Sequence, residues 1–274
     1  MPITEAKNAE LAETARQMRI DVLKMLTQAG SGHTGGSLSA VDIICTLYFH
    51  HMNYKVDDPQ CRDRDKFVLS KGHGAPALYS ALARAGFFSR DELMKLRQHK
   101  CMLQGHPYKP TTPGVEASTG SLGQGLSISN GLALAARLDG LKSRIYVLLG
   151  DGENQEGQVW EAAMSSAHYK LDNLCAFIDN NGLQIDGATS EIMSVEPLAD
   201  KWRAFGWSVQ EIDGHDYSQI AHALEQAGGV SGKPSMIIAK TVKGKGVSFF
   251  EGKVEYHGVA PKPDELTRAL AELM

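Results

Sequence analysis

Along the chain, helical apolar periodicity alternates with short, continuous apolar runs. Apolar residues recur at three- and four-residue spacing from about Thr4 to Ala29, which predicts a long helix that ends at Gly30. At least five strands are predicted, by the runs at residues 67–69, 145–149, 174–178, 208–212 and 235–239. These runs are rich in Val, Ile and Leu, which is typical of a parallel sheet with helices on both faces. We therefore predict the α/β class, with one domain over residues 1–274 because no linker or repeat interrupts the pattern.

Start signals precede several of the predicted helices. Ser37 is expected to cap a helix from Leu38 to about His51. The sequence from Ser89 to Glu92 has the form of a capping box for a helix over Leu93–His99. Asp216 is expected to cap the helix that follows the fourth strand.

The predicted strands end in polar loops that contain glycine. One strand is followed by Gly150-Asp151-Gly152, and the next by Asn181 and Leu183. A right-handed crossover brings two such loops to the same edge of a parallel sheet. A carboxylate, a side-chain amide and a free carbonyl form an oxygen set suited to Mg²⁺, beside a helix N-terminus suited to phosphate. An ordinary loop followed by an Asx turn is the alternative.

The common nucleotide motifs fail in this sequence. In the dinucleotide pattern GxGxxG, Ile128 stands where the third glycine after Gly123 and Gly125 belongs, and Phe249 where it belongs after Gly244 and Gly246. The P-loop pattern fails as well, because the Gly-Lys pair at 232–233 is followed by proline. The sequence therefore supports neither a nicotinamide cofactor nor a nucleoside triphosphate.

Three histidines, His33, His73 and His106, lie in glycine-flanked loops. If these loops share one sheet edge, the imidazoles can polarise or protonate a hydroxyl-rich substrate near neutral pH. A loop histidine bonded to backbone is the plain alternative for each. A zinc site made of histidines is another, although no HxH, HExxH or paired-cysteine spacing supports it.

Composition limits the partners and the cellular compartment expected for the chain. The 274 residues are 42% hydrophobic and 22% charged, with a net charge of −4, which gives no reason to expect nucleic acid or a membrane surface as a partner. The four cysteines form no CxxC pair, and the polar N-terminus lacks a signal-peptide core. We therefore expect a cytoplasmic protein without disulfides or a membrane span.

Seven motifs together resemble the N-terminal, diphosphate-binding (PP) half of transketolases, which use thiamine diphosphate. The resemblance covers about Ala15 to His257. GDG followed by Asn181 marks the wider thiamine diphosphate superfamily, whereas the histidine loops and TPGVEASTGSLGQG point to transketolase. The motifs are SGHTGGSLSAVD from Ser31, RDKFVLSKGHGAPALY from Arg64, GHP from Gly105, TPGVEASTGSLGQG from Thr112, GDGENQEGQVWEA from Gly150, DNNGLQIDG from Asp179 and KTVKGKG from Lys240.

The resemblance implies a thiamine diphosphate-binding fold and a role for each matching residue. The implied metal ligands are Asp151, Asn181 and the Leu183 carbonyl, for Mg²⁺ with Ca²⁺ or Mn²⁺ as alternatives. The implied cofactor contacts are His73, Gly152, Gly120, Leu122, Lys240 and His257. The implied catalytic residues are His33 and His106 at the sugars, His73 at the diphosphate and Glu156 at the interface between cofactor sites.

The implied activity is the transfer of a two-carbon ketol unit from a ketose phosphate to an aldose phosphate, as in the pentose phosphate pathway. Thr34 replaces the family's usual proline, and Val254 stands where the first of two C-terminal histidines is usual. The sequence ends at Met274, before the family's pyrimidine-binding domain, which supplies the glutamate that activates the cofactor. We therefore expect one subunit of a split transketolase, completed by a C-terminal subunit in an α₂β₂ assembly.

Two rival functions remain at the level of sequence. One is another thiamine diphosphate reaction, such as deoxyxylulose-phosphate synthesis or a step of a 2-oxo-acid dehydrogenase. The other is a non-catalytic subunit that keeps the fold. The paired loops of His33 and His106 argue against the first, and the intact metal and histidine residues argue against the second.

Overall fold

A computed structural model describes residues 3–274 and contains a five-stranded, all-parallel sheet. The strands lie in the order β1-β2-β3-β5-β4. Their bounds are Lys66–Leu69 (β1), Ile145–Gly150 (β2), Leu174–Asn180 (β3), Ser208–Asp213 (β4) and Ser235–Lys240 (β5). All five predicted strands are confirmed, and the predicted α/β class with them.

Helices connect the strands and cover both faces of the sheet. Their bounds are Glu5–Ala29 (α1), Thr34–Thr46 (α2), Ala75–Ala85 (α3), Gln124–Leu138 (α4), Gly157–His168 (α5), Thr189–Ile192 (α6), Leu198–Ala204 (α7), Tyr217–Gly229 (α8) and Pro263–Leu273 (α9). Short 3₁₀ turns occur at Gly72–Gly74, Arg90–Lys95, Gly152–Gln155 and Val254–Tyr256, and a π-helical turn at Leu47–His51. Within residues 3–274 no helix is long and apolar enough to cross a membrane.

Two hydrophobic cores lie on opposite faces of the sheet. Successive strand residues point to opposite faces, so Tyr146 and Leu148 enter one core while Val147 and Leu149 enter the other. Helices α1, α2, α3, α8 and α9 cover the first core, and α4, α5 and α7 cover the second. Because both faces are buried, the strands need continuous apolar runs instead of alternation, and this explains the pattern in the sequence.

The carboxyl ends of the parallel strands meet at one edge of the sheet. Strands β1, β2, β3 and β5 end at Leu69, Gly150, Asn180 and Lys240. Each of these ends runs into one of the polar loops that the sequence singles out. Ligands bind at this edge in open α/β sheets, so the fold places the candidate residues where a site forms.

One predicted cap and one predicted α-helix are wrong, whereas Ser89 does act as a cap, because its hydroxyl accepts from the Asp91 amide at the start of a 3₁₀ turn. Helix α2 begins at Thr34, and Ser37 does not cap it, because its hydroxyl donates to the His33 carbonyl at 2.6 Å. The predicted helix over Leu93–His99 is absent: a 3₁₀ turn ends at Lys95, and Arg97 has a positive φ of 63°. There the chain folds back, with the Arg97 amide donating to Leu103, and this return leads to His106. The predicted Asp216 cap is confirmed, since its carboxylate accepts from Ser218 and Gln219.

An aromatic cluster on one face of the sheet supports the loop after β2. The ring of Trp202 lies 5.2 Å from that of Trp160 and 4.9 Å from that of Trp207, and it is fully buried. Its indole N–H donates to Asn154 Oδ1 at 3.1 Å, and Trp160 donates to the Asn154 carbonyl at 2.8 Å. Packing on this face therefore fixes a residue of the loop that carries Asp151.

We expect Trp202→Ala to lower the free energy of unfolding by about 3–5 kcal/mol, because it leaves a large cavity and an unpaired amide. Guanidinium denaturation measures the loss. The control is Tyr169→Ala, whose side chain is half exposed, with an expected change within about 0.5 kcal/mol. Equal losses for the two variants would contradict the supporting role of the cluster.

Candidate active site

A cleft of about 330 Å³ lies at the carboxyl edge of the sheet. A volume of this order suits a small-molecule ligand. The residues that line it are His33, Gly36, Lys71, His73, His106, Gly120, Leu122, Gly150, Asp151, Gly152, Glu153, Gln155, Glu156, Asn181, Leu183, Gln184, Ile185, Lys243 and His257. The structure thus brings together every predicted site residue except Lys240.

Four imidazoles form a compact cluster in the cleft. The ring centroid of His33 lies 5.3 Å from that of His73, 5.9 Å from that of His106 and 5.6 Å from that of His257. His73 and His257 are 5.3 Å apart. The four residues come from the loop before α2, the turn after β1 and the loops that carry His106 and His257. They meet at one sheet edge, as the sequence predicts for the first three.

The histidine cluster is held neutral by its surroundings. Burial, followed by the neighbouring His106, lowers the pKa of His33 to about 4. Burial, followed by Lys243, lowers the pKa of His257 to about 3. The pKa of His73 falls well below its ordinary value for the same first reason. At neutral pH these imidazoles can each donate or accept a hydrogen bond without adding charge.

One nitrogen of the cluster has no protein partner. His33 Nδ1 is buried and makes no hydrogen bond to the part of the chain that the structure describes. Buried polar atoms nearly always have a partner, so this atom points to a ligand group. A metal does not explain it, since no three His, Cys, Asp or Glu side chains within residues 3–274 are placed to hold one. That finding counts against the histidine-only zinc site.

Asp151 lines the same cleft and is buried. Its carboxylate accepts from the Gly152 amide at 2.8 Å and from the Gly182 amide at 2.5 Å. Burial, followed by the charge of Asp179, raises its pKa to about 6. No Lys, Arg or His within the described chain forms an ion pair with it. A bound cation would compensate this buried charge.

The two neutral oxygens of the predicted metal set lie in the loop after β3. Asn181 Oδ1 accepts from the Leu183 amide at 3.1 Å, which is the Asx-turn contact that the sequence allowed as an alternative. The Leu183 carbonyl accepts from the Lys243 ammonium at 3.3 Å. With Asp151 these atoms form an all-oxygen set, the kind that Mg²⁺ and Ca²⁺ select.

Beneath the cleft, Lys71 and Asp179 form a buried ion pair. Their side chains are 1% and 0% exposed. The Lys71 ammonium also donates to the Gly36 carbonyl at 2.9 Å. Asp179 further accepts from the hydroxyls of Ser39 and Thr241. Burial opposes ionisation, but Lys71 and these donors keep the pKa of Asp179 below its usual value.

A second buried carboxylate, Glu153, joins three of the loops at the cleft. It accepts from the Ser70 hydroxyl, from the Gly123 amide at 2.9 Å and from the Gly150 amide at 3.0 Å. Glu156, the predicted interface residue, lies exposed at the rim of the cleft. Sequence reasoning missed Glu153, although it belongs to the same motif.

The loop before α4 forms another wall of the cleft. Gly120 has a φ of +151°, which side chains rarely adopt, and a Cβ there would lie 3.2 Å from the His106 ring. A Cβ on Gly72 would lie 2.8 Å from the Gly120 amide nitrogen. The backbone of Gly120 and Leu122 can approach a ligand because these glycines leave room.

Lys240 does not reach the cleft. It is exposed at the last position of β5 and lines a separate cavity beside β4. Lys243, three residues later, enters the cleft instead, with its ammonium 2.8 Å from His257 Nδ1. The prediction fails because Lys240 still belongs to the strand, whereas Lys243 lies in the loop that turns over the sheet edge.

These residues fit a magnesium diphosphate. One part of the cleft offers a carboxylate and neutral oxygens for a cation. Another offers Lys243, Lys71 and neutral imidazoles for an anion. Burial, followed by Lys71, lowers the pKa of Lys243 to about 8, and an anion would relieve the repulsion between the two ammonium groups.

The fold and this cleft define an α/β protein with a cleft suited to an anionic ligand at the carboxyl edge of a parallel sheet. Residues 8–273 match the family described as "Transketolase, thiamine diphosphate binding domain". The chain therefore belongs to the family of transketolase thiamine diphosphate-binding domains, which confirms the family and the fold predicted from the motifs.

Two relatives match this chain over nearly the full length of both proteins. The 6-deoxy-6-sulfo-D-fructose transketolase subunit SqwG of Clostridium sp. (strain MSTE9) is 48% identical over 264 residues, which cover 96% of each chain. An apulose-4-phosphate transketolase subunit of Actinobacillus succinogenes is 47% identical over 266 residues, again 96% of each. Both relatives are named as subunits, which agrees with the predicted split enzyme.

Solved transketolases share the fold but are longer. The enzyme from Leishmania mexicana superposes with a TM-score of 0.91 and 34% identity. The enzyme from Campylobacter jejuni gives the same TM-score with 35% identity. Each comparison covers 96% of this chain, but only 41% and 42% of those proteins. The chain thus spans about two fifths of the length of the solved transketolases it matches.

We expect Lys71→Met to cost about 3–5 kcal/mol of stability, because it leaves the Asp179 carboxylate buried without its partner. The change keeps most of the side-chain volume, so the loss reports the charge. Urea denaturation measures it, with Lys240→Met as the matched control at an exposed lysine, where we expect a change within about 0.5 kcal/mol. A loss for Lys71→Met no larger than that of the control would refute the pairing.

Proposed function

We propose that this chain is the diphosphate-binding subunit of a split transketolase and forms a single PP domain. When bound, thiamine diphosphate supplies the carbon centre that carries a two-carbon ketol unit from a ketose to an aldose. The observation that carries the proposal is the cleft itself, where Asp151, a buried carboxylate that forms no ion pair within residues 3–274, shares one space with two ammonium groups and four neutral imidazoles. The proposed setting is the cytoplasm.

The residues of the cleft divide the work of holding the cofactor. Asp151, Asn181 and the Leu183 carbonyl would hold Mg²⁺, which would neutralise the charge of the diphosphate. Lys243, His73 and His257, with the Gly152 backbone, bind the diphosphate oxygens. The Gly120 and Leu122 backbone faces the aminopyrimidine. Lys243 takes the place that the sequence assigned to Lys240, because its ammonium lies in the cleft.

His33 and His106 are proposed to bind the sugars. They are neighbours in the histidine cluster, with ring centroids 5.9 Å apart, and His33 Nδ1 is available to a ligand. Neutral imidazoles can donate a hydrogen bond to a carbonyl or hydroxyl oxygen of a sugar, or take up a proton from one of its hydroxyl groups. Their lowered pKa values keep them in the neutral form at physiological pH.

A partner subunit completes the site. Among the described residues that line the cleft there is no Phe, Tyr or Trp, and the three carboxylates are those of Asp151, Glu153 and Glu156, which the proposal assigns to the metal, to loop contacts and to the interface. We propose that the partner supplies both the carboxylate that activates the aminopyrimidine and the aromatic pocket around it. Glu156 at the rim and the exposed Ile185 lie where a second chain would close the cleft. The outward face of α4, with Ile128 and Leu138 exposed, supports a contact between two copies and hence an α₂β₂ assembly.

The proposed substrates are sugars with an anionic end. One relative is named for 6-deoxy-6-sulfo-D-fructose and another for apulose-4-phosphate, so a sulfonate and a phosphate both belong in the test panel. The rival thiamine diphosphate reactions use a 2-oxo acid as donor. An assay with pyruvate beside the ketose phosphates and the sulfo-sugar separates the two reaction classes.

We expect the purified chain alone to show no ketol transfer, and the chain mixed with its partner to show it. The reason is that the aminopyrimidine-activating carboxylate is proposed to lie on the partner. A coupled assay that follows aldose consumption, with thiamine diphosphate and Mg²⁺ present, measures both samples. Full activity from the chain alone would refute the proposal of a split enzyme.

We expect Asp151→Ala to abolish Mg²⁺-dependent retention of thiamine diphosphate by the assembled enzyme, with a loss of about 100-fold or more, because it removes the one charged metal ligand proposed. Calorimetry with and without Mg²⁺ measures retention. The control is Asp186→Ala, an exposed carboxylate in the loop after β3, which should bind normally. Unchanged affinity in Asp151→Ala would remove the proposed metal role.

A further inference from the structure

Behind the cleft, the buried carboxylate of Asp42 on α2 collects three side chains. Arg19 from α1 donates to it at 2.5 Å, and the Tyr217 hydroxyl from the start of α8 donates at 2.7 Å. The imidazole of His215, from the loop after β4, lies 2.7 Å away through Nδ1. None of these four residues lines the cleft, and none has a role in the function proposed above.

The hydrogen bonds fix the tautomer of His215. The Val242 amide donates to His215 Nε2 at 2.9 Å, so that nitrogen carries no proton. Nδ1 therefore carries the hydrogen and donates a hydrogen bond to the Asp42 carboxylate. Burial would raise the pKa of Asp42, but Arg19 and His215 together lower it to about 2, so the acceptor is ionised.

Two side chains of this network form hydrogen bonds with the backbone of one loop, residues 241–246. His215 accepts from the Val242 amide, and Arg19 Nε donates to the Lys245 carbonyl at 3.0 Å. A third contact, from the Gly244 amide to the Gly35 carbonyl at 3.0 Å, holds the same loop from α2. The anchored positions 242, 244 and 245 surround Lys243 in the sequence.

Lys243 depends on where this loop backbone lies. Its aliphatic stem packs so closely on Gly35 that a Cβ there would be 2.8 Å from Lys243 Cγ. Its ammonium reaches His257 Nδ1 at 2.8 Å and the Leu183 carbonyl at 3.3 Å. Since the stem has little room to adjust, a shift of the loop moves the ammonium out of the cleft.

We propose that Asp42 and His215 are positioning residues, which hold the 241–246 loop so that Lys243 points into the cleft toward the diphosphate. Asp42 orients the imidazole, and the imidazole holds the Val242 amide. Arg19 adds the second grip and neutralises Asp42. The inference rests on the proposed function, in which Lys243 binds the cofactor.

The test is a double-mutant cycle on thiamine diphosphate affinity, measured by calorimetry with Mg²⁺ on the chain assembled with its partner. His215→Ala should weaken binding about fivefold or more when Lys243 is present, and less than about twofold in the Lys243→Ala background. The control is His222→Ala, an exposed histidine on α8, which should leave affinity unchanged in both backgrounds. Equal losses in both backgrounds, or no loss, would overturn the inference.

Hydrogen exchange on the full chain without cofactor gives an independent readout. Amides of the 241–246 loop should exchange about fivefold or more faster in His215→Ala than in the wild type or in His222→Ala. Asp42→Asn, which keeps the side-chain shape, should have the same effect and replaces His215→Ala if that variant does not fold. Unchanged loop exchange would overturn the positioning role.

The two arms separate this inference from the proposed function. If the wild-type assembly binds no thiamine diphosphate, the proposed function fails, while the exchange experiment still decides whether His215 holds the loop. If the wild type binds but the cycle shows no coupling between His215 and Lys243, the inference alone fails.

Discussion

The buried ion pair between Lys71 and Asp179 is the contact on which the rest of the cleft depends. Removing two charges from water costs several kcal/mol for each ion, and only complete hydrogen bonding offsets that cost. Here the chain supplies it, with Gly36, Ser39 and Thr241 as the further partners. These groups come from α2, β3 and the segments that follow β1 and β5. Satisfying the pair therefore fixes the mutual positions of the segments that carry His33, His73, the two neutral oxygens after β3 and Lys243.

Above this pair, two parts of the cleft carry uncompensated charge of opposite sign. Asp151 is a buried carboxylate that accepts from backbone amides, and a cation would stabilise it. Lys243 shares its cleft with a second ammonium group, and an anion would stabilise it. A metal ion bound to a diphosphate would satisfy both at once. The neutral imidazoles add hydrogen bonds without further charge, so the ligand-free cleft avoids a larger excess of positive charge.

The sheet and most of the site are predictable because their signals are local. Continuous apolar runs reveal the strands, and the glycine loops after them reveal His73 and Asp151, while the glycine-rich loop between α1 and α2 reveals His33. Residues whose role depends on distant contacts escape such reasoning. In the sequence, Asp179 is merely the first polar residue after an apolar run. Its structural role, the buried ion pair with Lys71, joins residues 108 positions apart and is visible only in the structure. The sequence favours Lys240 over Lys243 because the exact end of β5 cannot be predicted. The strand includes Lys240, and Lys243, three residues later, lies in the loop beyond it. The false helix at Leu93 has a good start signal, but the return of the chain at Arg97 overrides it.

The central claim is that Asp151, Asn181 and the Leu183 carbonyl hold the metal of a bound diphosphate. The most direct measurement is a crystal structure of the chain, assembled with its partner, grown with thiamine diphosphate and Mn²⁺ in place of Mg²⁺. We expect an anomalous manganese peak within about 2.0–2.4 Å of these three oxygens and of the diphosphate. A peak among the histidines instead, or a diphosphate bound without metal at Asp151, would contradict it.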